Sequence, residues 1–195
     1  MNYTIKYTIF LIVIPAFLIY FSCPAGSESS DQPGIADLIV TNTEKEVLIY
    51  LSLENCFTRD MEEAIFAGIT TTFVFTVELY RNRSLWFDKK EAVVEARHSI
   101  KYDSVRRIMN VAYSYKGLHR EPEQFSEISR ARRAMEELNG LPLISLEKLE
   151  RGKPYYLRVR AKLERVPLPL DVKGTLTFTP QWYFETDWVR QDFVY

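Results

Sequence analysis

The sequence contains few of the residues on which most recognised active sites are built. Its 195 residues include two cysteines, two histidines and seven glycines. It has no glycine-rich phosphate loop, no G-x-S-x-G elbow, no CxxC pair and no HExxH motif. Each of those motifs supplies groups that its chemistry requires. The sequence therefore predicts no catalytic residue, no cofactor and no metal site.

An excess of charge of one sign is also missing. The chain carries 25 lysines and arginines against 26 aspartates and glutamates, a net charge of −1. Loss of residues 1–25, whose one charged residue is Lys6, would leave 24 basic against 26 acidic residues and a net charge of −2. Nucleic-acid-binding domains carry a clearly basic face. We therefore do not expect nucleic acid as a partner.

A long apolar run occurs near the N-terminus. Residues 7–21 read YTIFLIVIPAFLIYF, with Lys6 before them and a short polar segment after them. This is the layout of an export signal. We expect residues 1–25 to be a signal peptide cleaved after Ala25, or a retained membrane anchor, with lipid attachment at Cys23 as a third alternative. The rest of the protein is then expected in the periplasm or at the cell envelope.

Cysteine and histidine give little further indication of chemistry. Without the signal segment Cys56 is the one cysteine left, so an internal disulfide is not possible. We expect Cys56 to be a small core residue, since neither His98 nor His119 stands in a motif that would activate a thiol. His98 lies on an alternating strand and is expected to be a half-buried, hydrogen-bonded imidazole in preference to a metal ligand.

The first half of the chain predicts strands separated by a short helix. Residues 26–34 are a polar linker, and residues 35–195 are predicted to form one domain. Period-two alternation predicts two strands joined by a turn at Asn42–Glu46. A helix is expected to begin after Thr58 and to end at Gly68.

The middle of the chain predicts a strand, a hairpin and a second helix. The strand covers Thr71–Arg83, and the hairpin joins Ala92–Tyr102 to Val105–Tyr115 through Asp103 and Ser104. The helix is predicted over about Ser126–Leu138, with Asn139 and Gly140 as its stop signal.

The clearest local pattern follows that helix. Leu149, Gly152 and Tyr155 have the spacing of a turn into a strand, which resembles the tyrosine corner of fibronectin-type-III and immunoglobulin-like sandwiches. The strand places every second residue inward: Tyr155, Leu157, Val159, Ala161 and Leu163. We expect a break at residues 168–170 and another strand at Lys173–Thr179.

The C-terminal segment is rich in aromatic residues. Residues 182–195 include six of them. They predict either a last strand whose rings cover the open end of the fold, or an exposed patch for a partner or a lipid interface. Taken together, the patterns predict a mainly β protein with a minor α+β character: an antiparallel immunoglobulin/fibronectin-III-like β-sandwich with two short helices.

Several short segments follow one another in a recognisable order. Besides the first strand pair, they are Glu63-Ala64-Ile65, Ala67-Gly68-Ile69, Tyr80-Arg81-Asn82-Arg83 with Trp86 and Asp88, Ala134 with Leu138, Tyr155-Tyr156, and Leu168-Pro169-Leu170. Over about residues 35–195, their order and spacing resemble a bacterial family known as domain of unknown function 4390. The resemblance implies an exported or membrane-anchored protein of proteobacterial type, and it implies no activity and no catalytic residues.

One segment has the composition of an interaction surface. Arginines and large aromatic residues are combined where the third strand ends, and these residue types are enriched at binding hot spots. The predicted surface consists of Tyr80, Arg81, Arg83, Trp86 and Asp88. In the structural alternative, Trp86 plugs the end of the sandwich, Phe87 caps the hairpin and the arginines are solvated.

These features favour a non-enzymatic binding or accessory module of the cell envelope. Its partner is expected to be another envelope protein, with membrane anchoring through residues 7–21 as a further possibility. Two alternatives stay open. One is a small outer-membrane β-barrel, which the aromatic C-terminus would fit. The other is an enzyme with an unrecognised site, which would need a concave pocket with polar groups and a shifted titratable residue.

Overall fold

The computed structural model describes residues 32–164 and 183–195. The predicted export segment, most of the linker, the break at residues 168–170 and the strand at Lys173–Thr179 lie outside these residues. In the described part of the chain, no helix is long and apolar enough to cross a membrane.

The first two strands form the predicted hairpin. Strands β1 (Gly34–Asn42) and β2 (Glu46–Glu54) pair antiparallel. The Thr43 hydroxyl closes the turn, since it accepts hydrogen bonds from the backbone N–H groups of Lys45 (3.2 Å) and Glu46 (3.0 Å). The alternating apolar residues of β2 are buried as predicted: Val47, Ile49, Leu51 and Leu53.

The first helix is also confirmed. Helix α1 spans Arg59–Phe66, and the Thr58 side chain caps it by accepting a hydrogen bond from the N–H of Met61 at 3.2 Å. Gly68 adopts a φ of +87° just beyond its end, a conformation that suits glycine. The helix buries Met61, Ala64 and Ile65 against the core.

Three long strands follow, with boundaries that differ from the prediction. They are β3 (Thr71–Arg81), β4 (Lys89–Asp103) and β5 (Ile108–Tyr115). Strand β3 ends at Arg81 and not at Arg83, and β4 begins at Lys89 and not at Ala92. The return strand begins at residue 108, not at Val105. The Asp103 carboxylate accepts hydrogen bonds from the backbone N–H groups of Val105 (3.0 Å) and Arg106 (2.9 Å), so residues 104–107 belong to the turn.

The end of the second helix was predicted wrongly. After the short strands β6 (Leu118–His119) and β7 (Glu123–Phe125), helix α2 spans Ile128–Glu136, and strand β8 (Glu137–Ser145) follows it directly. Gly140 lies inside this strand at a φ of +70° and does not stop the helix. A Cβ there would lie 3.2 Å from the Tyr50 hydroxyl, so the neighbouring strand β2 approaches closely.

The tyrosine corner forms as the sequence indicates. A 3-10 turn at Leu146–Lys148 leads into strand β9 (Pro154–Leu163), and the Tyr155 hydroxyl accepts a hydrogen bond from the N–H of Glu150 at 2.9 Å. The predicted inward-facing residues of β9 are all buried.

The last strand is β10 (Val189–Val194), which pairs with β9. Phe184, Phe193 and Tyr195 pack in or against the core, as the covering interpretation predicts, whereas Tyr183 and Trp188 are exposed. Trp182 lies outside the described residues.

The strands form two antiparallel sheets that share one hydrophobic core. The smaller sheet has the order β1-β2-β8, and the larger has the order β10-β9-β3-β4-β5-β6, with β7 also paired to β5. The inner faces of both sheets contribute to the same buried cluster, and helices α1 and α2 add Met61, Ile65, Ala131 and Met135 to it. Over residues 32–164 and 183–195 this is a β-sandwich with two short helices. Sheets of three and seven strands do not establish the immunoglobulin-like topology, which stays a prediction.

Candidate functional site

The predicted interaction surface lies at the connection between β3 and β4. Tyr80 and Arg81 end β3, and Arg83, Trp86 and Asp88 belong to the loop that follows. The structure therefore brings all five predicted residues to one end of the larger sheet.

Polar contacts fix both ends of this loop. The Asp88 carboxylate accepts a hydrogen bond from the backbone N–H of Arg83 (3.1 Å) and another from the Tyr156 hydroxyl (3.0 Å). The Arg81 guanidinium makes two contacts with the Glu150 carboxylate, of which Nη2 to Oε2 is 2.8 Å. Strand β9 and the turn before it thus hold the base of the loop.

The tip of the loop is apolar and exposed. Leu85, Trp86 and Phe87 expose 89%, 79% and 94% of their surface. The alternative in which Trp86 plugs the sandwich and Phe87 caps the hairpin is therefore wrong. Three consecutive large apolar side chains in solvent form a patch that folding alone does not use. We call these three residues the apolar tip.

Stacked aromatic rings and arginines lie beside the loop on the outer face of the larger sheet. The rings of Tyr80 and Tyr156 stack with their centroids 5.1 Å apart and their planes at 7°. The Arg158 guanidinium carbon lies 5.1 Å from the ring centroid of Tyr80 and 4.5 Å from that of Trp188. The Arg190 guanidinium carbon lies 3.7 Å from the ring centroid of Tyr156. Cation–π contacts of this kind hold the side chains in fixed positions.

Glu78 supplies the negative charge at the centre of this face. Its carboxylate accepts hydrogen bonds from Lys90 Nζ (2.9 Å), Arg158 Nε (2.6 Å) and the Tyr80 hydroxyl (2.9 Å). Burial by itself would raise the pKa of Glu78, but these donors outweigh it and lower the pKa to about 2. The carboxylate therefore stays ionised at physiological pH and keeps Tyr80 and Arg158 in place.

A second site, which the sequence did not predict, is a cavity of about 610 Å³. It lies between strands β4, β5 and β7 on one side and helix α2 with strand β8 on the other. Ala96, Leu138 and Leu141 are buried in its floor, whereas Arg120 and Arg130 are exposed at its mouth. Its lining residues come from distant parts of the sequence, so no local pattern marks it.

His98 is the buried titratable group of this cavity. Its Nδ1 lies 3.2 Å from the carbonyl oxygen of Met135, and its ring packs against Phe75 and Tyr113 with centroids 4.9 and 4.8 Å away. Burial lowers the pKa of His98 to about 4, against the opposing effect of the Met135 carbonyl. The expected hydrogen-bonded imidazole is confirmed, and it is more deeply buried than the sequence indicated.

The remaining sulfur and imidazole groups do not form part of either site. Cys56 is 1% exposed, and burial, with a further contribution from the Glu136 carboxylate, raises the pKa of its thiol to about 12. A thiol in that environment is a poor nucleophile. His119 is exposed on β6. Among residues 32–164 and 183–195, no three His, Cys, Asp or Glu side chains are grouped so that they could hold a metal ion.

Comparison with known proteins identifies the family and no close relative. Neither the curated proteins nor the solved structures contain a match to this chain. A family model described as a domain of unknown function, DUF4390, matches residues 30–192. This span covers most of the chain. The protein belongs to the DUF4390 family.

Proposed function

We propose that this protein is a non-enzymatic binding module of the cell envelope and that it docks another envelope protein through the apolar tip. The observation that carries the proposal is the contrast between the tip and its base. Asp88 and Arg81 are fixed by hydrogen bonds and an ion pair, while Leu85, Trp86 and Phe87 lie in solvent.

The surroundings of the tip favour a protein over a lipid surface as the partner. Binding hot spots combine an anchoring aromatic residue with arginine and tyrosine, and a rim of polar groups excludes water around them. Here Tyr80, Tyr156 and Arg158 lie on the sheet face at the base of the loop, and acidic groups such as Glu78 and Asp192 balance the neighbouring cations. A surface of mixed charge suits a protein better than it suits an anionic membrane, which selects a basic surface.

Photo-crosslinking in cells tests this proposal directly. The full chain would carry benzoylphenylalanine at position 87, in the tip, or at position 105, in the β4–β5 turn. Val105 is the matched control because it is also apolar and 92% exposed. We expect position 87 to capture one envelope protein reproducibly, and we expect position 105 not to capture it.

Substitutions then test whether the tip provides the binding energy. Trp86→Ala is expected to weaken binding of the purified partner by about thirtyfold or more, the effect of losing a hot spot of at least about 2 kcal/mol. Arg83→Ala is expected to weaken it as well, while Val105→Ala should have no effect. Circular dichroism should show that all three variants fold. Crosslinks from position 87 to lipid, or binding that Trp86→Ala leaves unchanged, would overturn the proposal.

A further inference from the structure

The cavity beside helix α2 combines an apolar, uncharged floor with a basic mouth. Ala96, Leu138 and Leu141 in the floor are 3%, 3% and 6% exposed. His98 adds an imidazole to the floor, and because burial lowers its pKa to about 4 it carries no charge at neutral pH. The cavity walls also include rings from β5 and β7, those of Tyr113, Tyr115 and Phe125.

The charges at the mouth are only partly balanced. Arg133 has the Glu137 carboxylate 3.9 Å away. In the part of the chain that the structure describes, Arg120 and Arg130 form no ion pair. Glu123 also lies at the mouth, which leaves three arginines against two carboxylates. An anion that entered here would meet a small excess of positive charge, with two guanidinium groups that form no ion pair among the described residues.

The two ends of the cavity are held by hydrogen bonds between elements. The Tyr115 hydroxyl donates to the carbonyl oxygen of Pro142 and so joins β5 to β8. His98 joins β4 to helix α2 through the Met135 carbonyl. Since both contacts tie the walls together, the cavity does not require a ligand to hold it open. Pre-formed cavities of about 300–1,000 Å³ are the usual sites of small-molecule binding, and this one is about 610 Å³.

We propose that this cavity binds a small amphipathic organic acid, with its apolar body over Leu138 and Leu141 and its acidic head between Arg120 and Arg130. Arginine is the residue best suited to this head group, because its planar fork binds a carboxylate through two hydrogen bonds. The apolar body can come from a fatty acid or from an aromatic acid, which share this chemistry. No covalent step is involved.

Photoaffinity labelling of the full chain tests the site and separates the two sources. The probe is a fatty acid that carries a diazirine in its acyl chain, and peptide mapping by mass spectrometry locates the label. We expect labelled peptides from residues 113–125 and 130–142. Decanoate should compete if the body is aliphatic, and 1-naphthoate should compete better if the body is aromatic. Decanol is the neutral control and should compete at least about tenfold less well than the favoured acid.

Variants at the mouth test the role of charge. Arg120→Gln and Arg130→Gln are each expected to weaken competition by the favoured acid about tenfold and to leave competition by decanol unchanged. Arg59→Gln is the matched control, since Arg59 is an exposed helical arginine on α1 outside the cavity. Ala134→Phe should abolish labelling because Ala134 lines the cavity and the larger ring would fill it.

The result that would overturn the proposal is equally specific. An acidic ligand would be excluded if decanol competed as well as both acids. It would also be excluded if the favoured acid competed as well on Arg120→Gln and Arg130→Gln as on the parent protein. Label confined to other peptides would exclude the cavity. If Ala134→Phe fails to fold, the two arginine variants still decide the question, since both residues are exposed. Trp86→Ala should leave labelling unchanged, so this test is independent of docking at the apolar tip.

Discussion

The buried imidazole of His98 is expected to make the protein less stable in mild acid than at neutral pH. His98 is 6% exposed, and its ring is enclosed by Phe75, Tyr113 and the backbone of helix α2. Burial lowers its pKa from 6.5 to about 4, and the guanidinium of Arg120 shifts it in the same direction. The hydrogen bond to the Met135 carbonyl opposes both effects.

The direction of the pH dependence follows from these two pKa values. In the unfolded chain the imidazole takes up a proton near pH 6.5, whereas in the folded protein it does so only near pH 4. Between these values the unfolded state binds more protons, so the free energy of unfolding falls as the pH falls. The stability that depends on a neutral His98 is fully present above pH 6.5 and is lost by about pH 4. The difference between the two pKa values corresponds to about 3 kcal/mol.

The measurement is urea unfolding between pH 7.5 and pH 3.5, compared between the parent protein and His98→Gln. The variant keeps an amide donor for the Met135 carbonyl but does not titrate. Because both proteins have the same carboxylates, the difference between their stability curves reports the titration of His98. The free energy of unfolding of the parent protein should fall by about 3 kcal/mol relative to that of the variant across this pH range.

Nuclear magnetic resonance of the His119→Gln variant gives an independent test. That variant has His98 as its one histidine, so its ring proton signal reports the folded-state pKa without assignment. A signal that titrates near pH 6.5, or a stability difference that does not change with pH, would refute the reasoning. The titration decides the question even if His98→Gln does not fold.

Three further predictions concern the fold. Tyr155→Phe removes the hydroxyl that accepts from Glu150 N–H, and should cost about 1–3 kcal/mol in urea unfolding; no loss would contradict the tyrosine corner. Native Cys56 should react with a thiol reagent no faster than the protein unfolds, whereas immediate reaction would contradict its burial. Gly140→Ala should lower the thermal midpoint, because φ is +70° and the new Cβ would lie 3.2 Å from the Tyr50 hydroxyl; an unchanged midpoint would contradict this close approach.

The sequence predicted the inward faces of most strands because burial imposes a period of two. In β2 and β9 every second residue is apolar and reaches the shared core, and in β4 the same alternation is interrupted only by His98. The tyrosine corner was predictable for a similar reason, since Leu149, Gly152 and Tyr155 act within seven residues of each other. Local constraints of this kind are visible in a single sequence.

Strand β8 could not be predicted in the same way. Leu138 and Leu141 are three residues apart and continue the apolar spacing of α2, so the pattern favours a helix through Leu138. The strand exists because residues 137–145 pair with β2, a contact across about ninety residues of chain. The bulge at Gly140 resets its register, so strict alternation is lost. Long-range pairing here overrides local propensity.

The two sites differ in how far the sequence could reveal them. The residues of the predicted surface are close together in the chain, so their composition identified the loop. Their exposure could not be predicted, because whether Trp86 turns inward depends on how Asp88 and Tyr156 fix the loop. The cavity had no local signal at all, since it assembles Ala96, Arg120 and Pro142 from separate elements.

The stability of the fold does not account for the apolar tip. Burying one side chain of this size would stabilise the protein by about 1.5–3 kcal/mol, and the core next to the loop already accommodates large rings such as Tyr155 and Phe193. Asp88 and the Tyr156 hydroxyl instead fix the base of the loop, while its tip lies in solvent. Because exposed apolar patches promote aggregation, this arrangement is a cost to the isolated protein. Covering Leu85, Trp86 and Phe87 with a second surface, as the docking proposal requires, would remove that cost.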